Sequence, residues 1–148
     1  MDTLEILKSS ELFSNLSDTQ LLQLVSLCHQ KHFENGDFLI NEGDSPGPCF
    51  LIVSGRVQVY RERGYDRKWQ LAELGPGAIL GELAIIDGLP RSASIVALED
   101  TEALAIEEED FKKMMEDNPL IALNLLPHIA KTLRKTQDEL YLTTFVLK

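Results

Sequence analysis

The run Gly81-Glu82-Leu83-Ala84-Ile85-Ile86-Asp87-Gly88-Leu89-Pro90-Arg91-Ser92-Ala93-Ser94-Ile95 holds the residues best placed to do chemistry in this chain. It sets a glycine and a carboxylate side by side, follows them with helix-compatible residues, ends that turn with Gly88 and Pro90, and returns with an arginine beside a hydroxyl. Such an order suits the capture of a phosphate. A short helix beginning at Glu82 directs the free backbone N–H groups of Leu83 and Ala84 toward an anion at its N-terminus. Gly81 lets the anion approach closely. Arg91, coming back on the next strand, adds charge-assisted hydrogen bonds to the phosphate oxygens, and the Ser92 hydroxyl supplies one more donor. Glu82, facing away from the phosphate, accepts from a sugar hydroxyl. A phosphate and a sugar hydroxyl at that separation describe a nucleotide. The alternative is a buried Glu82–Arg91 ion pair tying two strands, which leaves Gly81, Pro90 and Ser92 without a purpose.

The elements that must position this run follow from the hydrophobic pattern. Residues 2–28 carry two helical patterns, Leu4, Ile6, Leu7 and Leu12 first, then Leu21, Leu22, Leu24, Val25 and Leu27 behind an N-cap at Ser17 or Asp18. From 29 to 106 the texture turns to short apolar or alternating runs, among them Phe38-Leu39-Ile40, Phe50-Leu51-Ile52-Val53, Val57-Gln58-Val59-Tyr60 and Trp69-Gln70-Leu71-Ala72. Turn signals punctuate them at Asn35-Gly36-Asp37, Glu42-Gly43-Asp44, Ser54-Gly55-Arg56, Arg63-Gly64-Tyr65 and Gly75-Pro76-Gly77. That spacing predicts an antiparallel barrel or jelly roll. Helical periodicity returns over 108–148, with a short helix from Asp110 to Asp117 and a longer one opened by Asn118-Pro119. Residues 1–148 are expected to form a single domain.

The run from Gly81 resembles the phosphate-binding cassette of the cyclic nucleotide-binding domain family. The signature of that cassette is an apolar residue, Gly-Glu-apolar-Ala-apolar, a short spacer, then Arg-small-Ala. The glycines Gly36, Gly43, Gly55 and Gly75, the flanking helices and the helix at Asn118-Pro119 are similar too, so the resemblance covers roughly residues 8 to 140. It implies an α+β, mainly β fold, an antiparallel eight-stranded β-roll flanked by N-terminal helices and a long C-terminal helix. It also implies that Glu82 binds the ribose 2′-hydroxyl and Arg91 the cyclic phosphate. The backbone of Leu83 and Ala84 and the hydroxyl of Ser92 then complete the cradle, and Gly81, Ala93 and Leu71 complete the expected ligand-binding set. Leu80 stands where many members carry phenylalanine, a change of packing and not of polar contact.

Leu126, Ile129, Leu133, Thr136, Leu140, Thr143 and Leu147 follow the three-and-four spacing of a two-stranded coiled-coil seam, and a homodimer through this helix is expected. For its first turns, packing on the chain's own roll accounts for the pattern equally well. Thr136 interrupts the seam, which fits register control. The resemblance adds that Thr136 and Gln137 match the positions at which bacterial catabolite-activator-like proteins meet the nucleotide base, one of them from the neighbouring subunit. Thr136 is therefore expected to meet the adenine amino group. Pro127 either removes one hydrogen bond and kinks the helix, or starts it and leaves the first half as a separate segment. Transcription-factor members continue into a helix-turn-helix domain, whereas this sequence stops at Lys148, as a stand-alone sensor or as the regulatory piece of a longer protein.

Other functions fit less well. A formal charge of −10 without a basic stripe disfavours direct nucleic-acid binding. The acidic start Met1-Asp2-Thr3-Leu4-Glu5 and the lack of a run of about 18 apolar residues point away from a secretory signal or membrane span and toward the cytoplasm. Cys28 and Cys49 are too few for a disulfide framework. His29, His32 and His128 do not form the ligand pattern of a metal cupin, no nucleophile has an evident base, and no cofactor is expected. Glu107-Glu108-Glu109-Asp110 reads as a solvated helix start. The sequence thus predicts a non-enzymatic receptor for a cyclic nucleotide that signals through its C-terminal helix. The expected ligand is cAMP before cGMP, because cGMP-selective relatives often carry threonine where Ser92 stands; a serine hydroxyl can also serve guanine, so the choice of base stays open. The other possibility is an orphan interaction module whose pocket holds no nucleotide.

Overall fold

The computed structural model describes residues 3–62 and 68–146, the side chains of 68, 69 and 143–146 excepted. The turn expected at Arg63-Gly64-Tyr65 and the seam position Leu147 lie outside the described residues, as does the side chain of Thr143.

Helix α1 spans Thr3–Ser9 and α2 spans Asp18–Leu27. Ser17 is the cap of α2: its Oγ accepts from the Gln20 N–H at 3.2 Å, and its own N–H donates to Gln20 Oε1 at 2.9 Å. Two otherwise orphaned donors are satisfied by this reciprocal box.

Eight strands follow, β1 (His29–Phe33), β2 (Phe38–Ile40), β3 (Cys49–Ser54), β4 (Val57–Glu62), β5 (Lys68–Leu74), β6 (Ile79–Leu80), β7 (Ser94–Ala97) and β8 (Thr101–Ile106). They form two four-stranded sheets, ordered β1-β8-β3-β6 and β2-β7-β4-β5, with antiparallel neighbours throughout. This is the expected mainly β roll. Strand β3 shows why its sequence is apolar without alternation. Cys49 and Leu51 pack outward with α1, α2 and the C-terminal helices, while Phe50 and Ile52 pack inward with Val57, Leu80 and Ile95. A strand covered on both faces buries both halves of its period of two. At the β3–β4 turn Gly55 has φ 94°, and a Cβ there would meet Asp100 O at 2.6 Å, so the turn demands glycine.

Three more helices complete the chain: α3 (Glu82–Asp87) between β6 and β7, α4 (Glu108–Asp117) and α5 (Pro119–Val146). Helix α4 starts two residues before the predicted Asp110, so its first turn holds Glu108, Glu109 and Asp110, acids that favour that end of the dipole. Its Phe111 and Met114 are buried, and Asn118 after it accepts from Gln20 Nε2 at 3.0 Å, tying α4 to α2. Helix α5 is continuous through Pro127, so its first half is not a separate segment. Ile121 and Leu125 anchor that half in the core, and Asn124 Nδ2 donates to Leu12 O at 3.1 Å.

Candidate functional site

The site is built on α3 and the returning segment at Arg91. Gly81, at φ 83°, turns the chain from β6 into α3, and Gly88, at φ 71°, ends that helix with its N–H on Ala84 O. Both require the left-handed backbone that glycine adopts without strain. Arg91 is held by its main chain, its N–H donating to Asp44 O at 2.8 Å and its carbonyl accepting from Gly43 N–H at 2.9 Å. The Glu42-Gly43-Asp44 turn, just past β2, thus fixes the arginine just ahead of β7, the strand paired with β2.

Arg91 is buried, 7% exposed as a residue, yet the partners of its guanidinium are two main-chain carbonyls, Gly81 O at 3.2 Å from Nη1 and Pro48 O at 2.7 Å from Nη2. Among the described residues no carboxylate pairs with it. Burial pushes its pKa down, against the opposing effect of Cys49, Asp44 and Glu108. A Cβ on Gly81 would lie 2.6 Å from Nη1, and one on Gly47 3.1 Å from Nη2, so both glycines make room for this side chain.

Glu82, 9% exposed, does not pair with Arg91. Its Oε1 instead accepts from His128 Nε2 on α5 at 3.0 Å, so the ion pair between two strands is replaced by one between α3 and α5. That hydrogen bond raises the His128 pKa above its ordinary value, against the opposing effect of burial.

Between the roll, α3 and α5 lies a cavity of about 510 Å³. Ile40, Val59, Leu71, Leu74 and Ile95 give it an apolar floor. Gly81, Glu82, Leu83, Ala84, Arg91, Ser92 and Ala93 form its polar wall, and His128, Lys131, Thr132, Lys135, Thr136, Glu139 and Leu140 its helical wall. An apolar floor with a few converging polar groups is the usual build of a small-molecule site. Every residue singled out from the sequence lines this cavity except Gln137, which is exposed on α5, about 100° around the helix from Thr136.

Sequence reasoning missed His128, Lys131, Thr132 and Lys135. The signal was present, since counting back from Thr136 by four and eight residues along one helix face reaches Thr132 and His128. The Thr136 hydroxyl donates to Thr132 O and the Thr132 hydroxyl to His128 O, both at 3.0 Å. Each hydroxyl proton is thereby used, and the oxygen lone pairs remain free to accept. Burial pushes both cysteine thiols up, Cys28 to about 11 and Cys49 further, so neither is poised as a nucleophile. No helix of the described residues is long and apolar enough to cross a membrane.

Comparison with known proteins converges on one family. The family profile described as "Cyclic nucleotide-binding domain" matches residues 30–118. The Cyclic AMP receptor protein of Thermus thermophilus is 35% identical over 139 residues, which cover 94% of this chain and 64% of that one. Human cGMP-dependent protein kinase 2 is 31% identical over 109 residues, 72% of this chain and 14% of the kinase. The crystal structure of Thermus thermophilus Catabolite Activator Protein superposes with a TM-score of 0.84 at 35% identity, covering 92% of this chain and 64% of that one. The chain therefore spans less than two thirds of the length of these relatives.

Proposed function

Since the chain belongs to the cyclic nucleotide-binding domain family, we propose that its cavity is a receptor site for a cyclic nucleotide, cAMP before cGMP. The observation that carries this reading is Arg91, a buried guanidinium braced by carbonyls, without a carboxylate partner among the described residues, at the rim of a cavity sized for a small ligand. A cyclic phosphate supplies the missing negative charge, with the Leu83 and Ala84 N–H groups and the Ser92 hydroxyl beside it. Glu82 takes the ribose 2′-hydroxyl, and Leu71, Ala93 and the apolar floor take the base. The preference for adenine is supported by Thr136, whose hydroxyl proton is used within the helix, so that its oxygen accepts from an amino group more readily than it donates to the guanine carbonyl. Gln137, turned away from this cavity, is assigned to the base in the pocket of a second copy.

The protein acts in this reading as a cytoplasmic binding module without catalysis or direct nucleic-acid contact of its own. Ligand bound between α3 and α5 contacts both, so it favours the arrangement in which they lie closest and signals through α5. The test is ligand-dependent thermal unfolding. At cAMP about 100-fold above Kd the wild-type protein gains about 2.7 kcal/mol, and Arg91→Ala loses that gain while unfolding cooperatively on its own. A gain that survives in Arg91→Ala overturns the assignment of the phosphate.

A further inference from the structure

The Glu82–His128 contact joins a residue of the proposed cradle to the helix that closes the cavity, and its geometry gives each partner a distinct task. Glu82 is the buried carboxylate, its side chain 11% exposed, and His128 is more open at 26%. Among the described residues Glu82 is engaged through Oε1, by His128 Nε2 at 3.0 Å. Among the described residues no buried side-chain polar atom lacks a partner, so the second oxygen, Oε2, is not sealed off, and Glu82 lines the cavity. A hydrogen bond from the His128 ring to one oxygen fixes the carboxyl plane and so the direction in which the other oxygen points.

We infer that His128 is a positioning residue for sugar recognition: from α5 it clamps Oε1 of Glu82 and so presents Oε2, fixed in direction, to the 2′-hydroxyl of the ligand's ribose. The inference rests on the cyclic-nucleotide reading of the cavity and adds to it the group that makes the site discriminate ribose from deoxyribose. His128 is suited to the task by its surroundings. It faces Glu82 from α3, Glu11 from the segment after α1, and Lys131 one turn along α5; the two acids favour its charged form, and Lys131, itself paired with Glu11 Nζ to Oε1 at 2.8 Å, opposes it. The His128 carbonyl also accepts the Thr132 hydroxyl, so the clamp and the threonines facing the base lie on one rigid face of α5.

The experiment is a cycle of dissociation constants for cAMP and 2′-deoxy-cAMP on the wild-type protein, His128→Gln and Glu82→Gln, with Arg91→Ala as reference. A hydrogen bond to a charged group sets the expected scale at about tenfold per bond. Wild type should prefer cAMP by about that factor, and Glu82→Gln should abolish the preference. His128→Gln should reduce it several-fold while its affinity for the deoxy ligand stays near that of wild type. An unchanged preference in His128→Gln, or an equal loss for both ligands as a merely structural role would give, overturns the inference and leaves the receptor reading intact. Failure of the wild type to bind either nucleotide, or equal binding of both by wild type and Glu82→Gln, overturns the reading of Glu82 and the inference with it.

Discussion

Arg91, Gly81 and His128 carry the account at the level of single residues. Gly81 serves the arginine as well as the turn: at φ 83°, with a Cβ only 2.6 Å from Arg91 Nη1, Gly81→Ala strains the backbone and displaces the guanidinium. Its expected cost is about 1–3 kcal/mol of stability, measured by denaturant unfolding, together with a loss of cAMP affinity greater than stability alone explains. The His128 pKa lies above its ordinary 6.5 because Glu82 accepts a hydrogen bond from the ring, which favours the charged form. A folded-state value above the unfolded one means that the pair's stabilisation is fully present below 6.5 and is lost as pH rises through the raised value. The His128 ring resonances should therefore titrate above the ordinary range and return toward it in Glu82→Gln. The cassette was legible in the sequence because Gly81, Glu82, Pro90 and Arg91 lie close together along the chain. His128 lies 46 residues from Glu82 along the chain; its place about two turns before Thr136 marks the helix face it shares, but only the packing of α5 over α3 brings it to Glu82.

Helices and strands set the next scale, and α5 is where expectation and structure differ most. Pro127 made the helix ambiguous in sequence, yet the burial of Ile121 and Leu125 before it outweighs one lost hydrogen bond. Pro127→Ala restores that bond and should stabilise the protein by about 1–3 kcal/mol, read as a rise in Tm. The same helix exposes Leu126, Leu133 and Leu140 at 62%, 56% and 62%, one residue per heptad along a single stripe. The proposed homodimer would use this stripe as its seam; sedimentation should then find a dimer that Leu133→Glu converts to monomer without loss of fold. Strands show why legibility was uneven. The apolar runs of β3 and β4 stand out, but β1, His29–Phe33, has nearly all its side chains outside and is recruited by main-chain pairing with β8. The two-residue β6 is shorter than any periodicity.

Over the whole molecule, two apolar clusters divide the labour. One fills the roll around Phe50, Ile52 and Val57, and the other cements α1, α2, α4 and the first half of α5 to its outer face. The cavity lies where the roll meets the second half of α5, whose residues 130–142 are exposed and lack that cement. A ligand that contacts both sides therefore acts on the least anchored part of the fold, which is what a switch requires. The central claim is that the cavity binds a cyclic nucleotide by pairing its phosphate with Arg91, and calorimetric titration of ligand-stripped protein with cAMP tests it most directly. The account predicts saturable binding at micromolar concentration or tighter, weaker binding of cGMP, and a loss of at least about 2 kcal/mol in Arg91→Ala. No heat and no competition from either nucleotide with the refolded wild-type protein would contradict it.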